Sequence, residues 1–428
     1  MIARHLSSLI FTPIFATIAT SIFTLTTLFF VPVFAETTQH ENSESSKVDF
    51  ATDTHKDDDK SSHGKKVFIA AFEQFLTTEL AIDTPGYALA LVHQGKPILV
   101  KGYGLRKNGE SEQINADTAF RLASISKTFA SSAAGLLVQK DQLQWDSPIY
   151  PYINQVPFSN NSYAQTLTLR HILSHTSGLM PHAYSNKIED RLSYQRILQR
   201  MDKVPFVCPP GKCYGYQNIA YSLSGDIIQS INKTSYEDFV EKSLFTPLNM
   251  HSASFGRKAF ISQKNHATPH SWSKKQQSWR PMRVRGNYYK VPPAAGVNAS
   301  IRDMSHWLLA HLGHYPTVLH ADTLNALHSK QIKTTKKQAH YRGDDWKPLK
   351  SSYYALGWRG FDYANQKGFV QHGGWVQGFR CEMVFHPELQ MGMVILVNAE
   401  TRAASLVVPK FVNLYLEHFK PQASDSSL

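Results

Sequence analysis

Segments with the look of β-strands gather at the two ends of this 428-residue chain and leave its long middle to other structure. At one end, residues 87–93 and 97–103 are aliphatic and aromatic runs separated by Gln94-Gly95-Lys96, a turn-sized gap containing glycine, and they read as a hairpin. At the other end, residues 354–358, 368–372, 379–385 and 392–397 read as strands, followed by a closing helix over 404–419. About 230 residues lie between the groups, and their apolar periodicity at 130–138, 220–231 and 304–312 is helical. A sheet that draws strands from both ends cannot belong to one of two domains in series. The predicted fold class is therefore α+β: an antiparallel β-sheet flanked by helices, with an adjoining helical region packed beside it.

The chain can support such a body. With 42% hydrophobic and 18% charged residues it has the average of a folded globular protein, which excludes wholesale disorder and collagen-like architectures. Three cysteines cannot staple a fold of this size. The ends differ from the middle. After Arg4 no Asp, Glu, Lys or Arg occurs until Glu36, and the apolar run ends in Val33-Phe34-Ala35, residues acceptable to a signal peptidase. Residues 1–35 thus read as a signal peptide, or as an uncleaved signal anchor because the run is long enough to span a bilayer. Either reading places the body outside the cytoplasm, periplasmic or secreted, with membrane attachment only through that anchor. Residues 36–66 are polar and read as a disordered tether, residues 67–420 as the folded domain, and 421–428 as a tail.

Net charge is +12, which favours anionic surfaces through a salt-sensitive field. The excess is concentrated in residues 257–290, where nine Lys or Arg and no Asp or Glu are interleaved with Trp272, Trp279, Tyr288 and Tyr289. No nucleic-acid motif accompanies the stretch, so it reads as a solvated basic loop, with an anionic cell-envelope polymer as the partner it would suit and no nucleic acid expected.

Three motifs carry chemistry. Ser124-Ile125-Ser126-Lys127 places a hydroxyl and an amine on one face of a helix. A serine hydroxyl needs a base to become a nucleophile, and lysine serves only when its pKa is pulled down from about 10.4. The same spacing recurs at Ser62, Ser230 and Ser271, but only Ser124 opens an apolar helix, whose N-terminal N–H groups favour a developing oxyanion. Tyr216-Gln217-Asn218 offers a phenol for proton relay and an amide for holding a substrate carbonyl. Tyr-x-Asn also occurs at Tyr152, Tyr184 and Tyr363, so the pattern alone is weak. His372-Gly373-Gly374-Trp375 ends a strand with glycines that admit close backbone approach, and the Trp375 N–H can complete an oxyanion hole with that of Ser124.

Taken in order, these three motifs resemble the serine β-lactamase and penicillin-binding-protein superfamily, nearest its class C β-lactamase-like branch of D,D-peptidases, D-aminopeptidases and esterases. Phe120-Arg121-Leu122-Ala123 before the serine, and the segments 169–179, 210–225 and 294–307, share the likeness, which spans roughly 67–419. The resemblance implies a β-lactamase/transpeptidase-like fold and a covalent acyl-enzyme on Ser124, with Lys127 and Tyr216 handling protons and Asn218 positioning an ester or amide of a small molecule or peptide. It implies substrate contacts at His372, Gly373, Gly374 and Trp375, and no cofactor or metal. His372 and Gly373 stand where the family's Lys-Thr-Gly version has a lysine and a threonine, which loosens any link to carboxylate-bearing β-lactams. A D,D-carboxypeptidase or true β-lactamase is the rival enzyme, and a non-catalytic envelope binding protein the rival of another class.

Two further constellations need weighing. His171 and His175 are four apart but lack the glutamate of a metalloprotease helix, so they read as packing residues beside a Gly178 cap. Cys208 and Cys213 bracket the turn-forming Pro209-Pro210-Gly211-Lys212 and are a candidate disulfide, while Cys381 reads as a buried thiol on a strand.

Overall fold

The computed structural model describes residues 59–190 and 192–419. The leader, most of the tether and the tail expected from the sequence lie outside them. An eight-stranded antiparallel sheet forms the centre. Its strands are Gly86–His93 (β1), Lys96–Gly104 (β2), Ile332–Lys333 (β3), Leu349–Tyr354 (β4), Arg359–Tyr363 (β5), Gln366–Val376 (β6), Phe379–His386 (β7) and Met391–Val397 (β8). Their order is β2-β1-β8-β7-β6-β5-β4-β3. The N-terminal hairpin is thus laid against the last strand, with Tyr87 opposite Val397 and Val92 opposite Gly392. Gln94 and Gly95 both take positive φ, 52° and 69°, which gives the tight turn the right-handed strand twist requires.

One face of the sheet is covered by the first and last helices, Asp59–Phe75 (α1) and Ala404–His418 (α5). Phe68, Phe72 and Leu76 repeat at helical spacing, and the rings of Phe68 and Phe72 lie 5.9 and 5.6 Å from Phe411 of α5. Val384, Met393 and Ile395 of the sheet join the same core. The helical middle lies on the other side. Its principal helices are Ser126–Gln139 (α2), Asn218–Asn232 (α3) and Ile301–His311 (α4). Trp307 of α4 stacks on Phe129 of α2 at 3.9 Å and donates its indole N–H to Thr128 Oγ1 at 3.0 Å.

The architecture is the α+β arrangement expected, with four local corrections. Of residues 354–358 only Tyr354 is in a strand, as the last residue of β4; 355–358 form the turn between β4 and β5, closed by the Ala355 N–H donating to Trp358 O at 2.7 Å. Tyr354, Leu356 and Trp358 have strand-like composition because they are buried, while Gly357 at φ 79° reverses the chain. The first helix begins at Asp59, so the last residues of the expected tether are helical; a helix nucleated by the Phe68 stripe propagates into polar residues at little cost. His171 and His175 do not share a helix face, because that helix ends at Leu173 and His175 takes a left-handed φ of 56°. Residues 257–290 are not simply a solvated loop: His270–Ser273 pairs with Ser278–Pro281, and His270 and Trp279 are buried.

Candidate active site

Ser124 sits in a single 3-10 turn, Ala123–Ile125, immediately before α2. Ala123 holds a positive φ of 48°, a conformation that costs a residue with a Cβ about 1–2 kcal/mol. The strain turns the chain sharply from strand Phe120–Arg121 into α2 and leaves the Ser124 side chain half-buried at the mouth of a cleft of about 830 Å³.

Three of the sequence motifs meet there. Lys127 Nζ lies 3.3 Å from Ser124 Oγ, 2.8 Å from Asn218 Oδ1 and 2.9 Å from the Ala294 carbonyl oxygen. The Tyr216 hydroxyl donates to Ser124 Oγ at 3.0 Å. Lys127 is fully buried, and this burial, together with the nearby Arg359 guanidinium, holds its pKa well below that of an ordinary lysine. The neutral amine fits its surroundings. A neutral amine has two N–H groups, which Asn218 Oδ1 and the Ala294 carbonyl can accept, and a lone pair with which to take the proton of the hydroxyl 3.3 Å away. Burial pushes the Tyr216 phenol above its ordinary value, so it is protonated at neutral pH.

Asn218 is the first residue of α3, whose N-cap Gln217 accepts through its side chain from the Ile219 and Ala220 N–H groups. The helix start therefore sets both Tyr216 and Asn218. Asn218 is bound to Lys127, so in this state its amide oxygen orients the base. His175 secures the same segment: its Nδ1 accepts from the Gln217 N–H at 3.2 Å, its carbonyl accepts from the Gly215 N–H at 2.8 Å, and its ring lies 4.1 Å from that of Tyr216. Burial, and after it the nearby Arg359 guanidinium, hold the imidazole neutral.

The third motif borders the cleft on β6. Strand β5 pairs with β6 only as far as Arg359 opposite Gln371, so residues 372–375 line the opening. The backbone at Gly374 runs against the serine turn so closely that a Cβ there would sit 2.2 Å from the Leu122 carbonyl oxygen. This contact brings the segments bearing the Ser124 and Trp375 N–H groups together. Trp375 is 64% exposed beside the opening. His372 is 1% exposed; its Nδ1–H donates to the Gly373 carbonyl at 2.8 Å, and its Nε2 accepts from the Tyr354 hydroxyl at 3.1 Å. Burial and the adjacent Arg359 guanidinium keep it uncharged. At Gly373 a Cβ would meet the Glu382 carboxylate at 2.6 Å, and Glu382 is itself bonded by Gln371 Nε2 at 2.8 Å.

Cys208 and Cys213 are joined by a disulfide, and Gly211, between them, donates its N–H to the Thr176 carbonyl at 2.7 Å. The bridge thus clips the approach to Tyr216 onto the segment carrying His175. Cys381 is buried on β7, with burial raising its thiol well above the ordinary value. Several contributors were not singled out from the sequence: the Ala294 carbonyl, Arg359, Tyr354, Glu382 and the role of His175. None lies in a repeated or charged pattern, and each acts through its three-dimensional neighbours.

A serine hydroxyl held between a buried neutral amine and a phenol, where helices meet strand β6 of an antiparallel sheet, defines a β-lactamase-like site of the Ser-x-x-Lys, Tyr-x-Asn type. The chain belongs to the β-lactamase family, whose profile matches residues 68–413. Among curated proteins it is 25% identical over 348 residues to Protein flp of Staphylococcus aureus (strain NCTC 8325 / PS 47), covering 79% of this chain and 63% of that one. It is 22% identical over 340 residues to the unguisins hydrolase ungD of Aspergillus violaceofuscus, covering 74% of this chain and 58% of that protein. This chain thus spans less than two thirds of these relatives' length. The octameric penicillin-binding protein homologue from Pyrococcus abyssi superposes with a TM-score of 0.70 at 21% identity, over 82% of this chain and 77% of that one, and shares the fold.

Proposed function

We propose that this protein is an exported serine hydrolase that acts on an ester or amide through a covalent acyl-enzyme. The observation that carries the proposal is the contact set around one oxygen: Ser124 Oγ is 3.3 Å from a desolvated lysine amine and 3.0 Å from a phenol. Lys127 takes the hydroxyl proton as Oγ bonds to the substrate carbonyl carbon. The oxyanion faces the Ser124 and Trp375 N–H groups. As the tetrahedral species collapses, Tyr216 gives its proton to the leaving oxygen or nitrogen and recovers one from the Lys127 ammonium. Water then enters by the same route in reverse and releases the acid. The hydrolase name of the Aspergillus relative supports hydrolysis in general. The charge-free apolar run before Glu36 supports export.

Intact-mass measurement after incubation with a panel of esters, D-amino-acid peptides and β-lactams tests the reading. The expected result is a stable adduct with at least one member, absent from folded Ser124→Ala. Adduct formation that persists in Ser124→Ala, or no turnover of any member by the wild type, overturns it.

A further inference from the structure

The basic segment 257–290 takes no part in acyl transfer, yet the fold makes an organised surface of it. Eight of its nine Lys and Arg residues are exposed, all but Lys290, and among the described residues none of the eight stands in an ion pair. The segment has no carboxylate of its own; Glu189, which reaches it from outside, accepts from Asn287 Nδ2 at 2.6 Å. At its centre His270–Ser273 pairs with Ser278–Pro281. Residues directly opposite in an antiparallel pair share a face, so His270, Trp272, Trp279 and Pro281 lie on one side and Ser271, Ser273, Ser278 and Arg280 on the other. The first side is fastened to the body. His270 is fully buried, its Nδ1–H donates to the Asn398 carbonyl at 2.9 Å, and its Nε2 accepts from the Asn108 N–H at 3.0 Å. Trp279 is buried, its carbonyl accepts from Asn108 Nδ2 at 2.8 Å, and Trp272 meets it edge-on at 5.5 Å. The second side and the turn Lys274-Lys275-Gln276-Gln277 carry only hydroxyls, amides and cations. Arg257 Nε donates to the Val284 carbonyl at 2.8 Å, which sets a further guanidinium beside the chain bearing Arg283 and Arg285.

Like charges gathered without a counter-charge repel one another and weaken the compact state. A rigid platform that keeps them together is relieved by a partner of opposite sign. We propose that this surface binds an extended, hydrated polymer carrying repeated anionic groups, and so holds the protein on such a polymer of the cell envelope. The envelope setting rests on the export reading above; the polyanion contact does not, and neither draws on the hydrolase chemistry. Two observations choose the partner. From Arg280 to the turn lysines is about 10 Å of strand, further than one small anion reaches, so the cations meet successive charges of a chain. The indoles are turned toward the body, which leaves the outer face and the turn of the hairpin without an apolar side chain to enter a bilayer or stack on bases.

The test titrates the full chain into fluorescently labelled long-chain polyphosphate at two salt concentrations and reads binding by anisotropy. Engagement of about four anions weakens affinity roughly 50-fold for a fourfold rise in salt. A hairpin variant combining Lys274→Gln, Lys275→Gln, Arg280→Gln and Arg283→Gln should lose at least about tenfold in affinity at low salt, and most of the salt dependence with it. A control variant combining Lys333→Gln, Lys336→Gln, Lys337→Gln and Lys350→Gln removes the same charge outside the segment, and should lose no more than about threefold. Equal losses in the two variants would mean that net charge alone draws the polymer, and would overturn the inference. So would a wild type that fails to bind or binds independently of salt, a result that needs no variant to fold. Phosphatidylglycerol vesicles form the last arm, with the leader common to every sample. If the hairpin variant releases the vesicles but keeps the polyphosphate, the surface faces a membrane and the polymer reading falls.

Discussion

Gly374→Ala is the perturbation that most directly probes how the site is built. The added methyl would stand 2.2 Å from the Leu122 carbonyl oxygen, where ordinary contact begins at 3.4 Å, so β6 and the serine turn must separate by about 1.2 Å. The obstacle is backbone two residues before the nucleophile, and no side-chain rotation relieves it. Overpacking of this kind costs about 1–3 kcal/mol of stability. The larger effect falls on catalysis. The movement parts the two strands of chain that carry the oxyanion donors, and misplacing a reacting group by about 1 Å lowers rates roughly 100-fold. We expect kcat for a short-chain chromogenic ester to drop by about that factor, with KM moving less. Gly373→Ala is the companion variant. Its methyl meets the movable end of Glu382 at 2.6 Å, so its loss should be nearer tenfold or less. Steady-state kinetics with melting curves on both variants make the comparison. A Gly374→Ala protein that melts normally and stays within about threefold of wild type would show that β6 does not form half of an oxyanion site.

Two other expectations concern the groups around the nucleophile. Lys127 has a folded pKa far below its unfolded one, so the unfolded chain binds more protons in the interval between them, and stability rises with pH across that interval. Lys127→Met should flatten this rise between pH 7 and the ordinary lysine pKa while lowering kcat by about 100-fold or more, read from melting curves and rates at several pH values; an unchanged slope would mean the amine is not desolvated. His175→Leu removes the acceptor of the Gln217 N–H, whereas His175→Asn keeps an acceptor and suits the left-handed backbone. The leucine variant should lose at least about tenfold in kcat, the cost of a buried unpaired N–H, and the asparagine variant should recover most of it; equal losses would confine His175 to ring packing.

Much of this was legible in the chain. Phe68, Phe72 and Leu76 announce a buried helical stripe, and the alternation of Phe379, Cys381 and Met383 with the charged Arg380 and Glu382 announces a strand. Ser124, Lys127, Tyr216 and Asn218 were readable because their chemistry is local to short motifs in a fixed order. What was not readable depends on partners far away in sequence. The segment 354–358 has strand composition because it is buried, and only Gly357, where a Cβ would meet Ser131 Oγ at 2.4 Å, shows that the chain must turn there against α2. Arg359 looks like any strand arginine until it is seen buried beside the rings of Tyr216 and Tyr354. His175 carries only a faint signal of its left-handed backbone: histidine adopts one more readily than most residues, as His182 and His340 also do, but its identity alone does not single this position out.

The pairing of the N-terminal hairpin with the final strand has a consequence in time. Tyr87 waits for Val397, about 310 positions later, before the sheet can close, and Ser124 waits for Gly374 before its surroundings exist. A nascent polypeptide leaving the ribosome would remain chemically inert until the strand around Val397 had been made. One threaded through a translocation channel would likewise become reactive only on the far side.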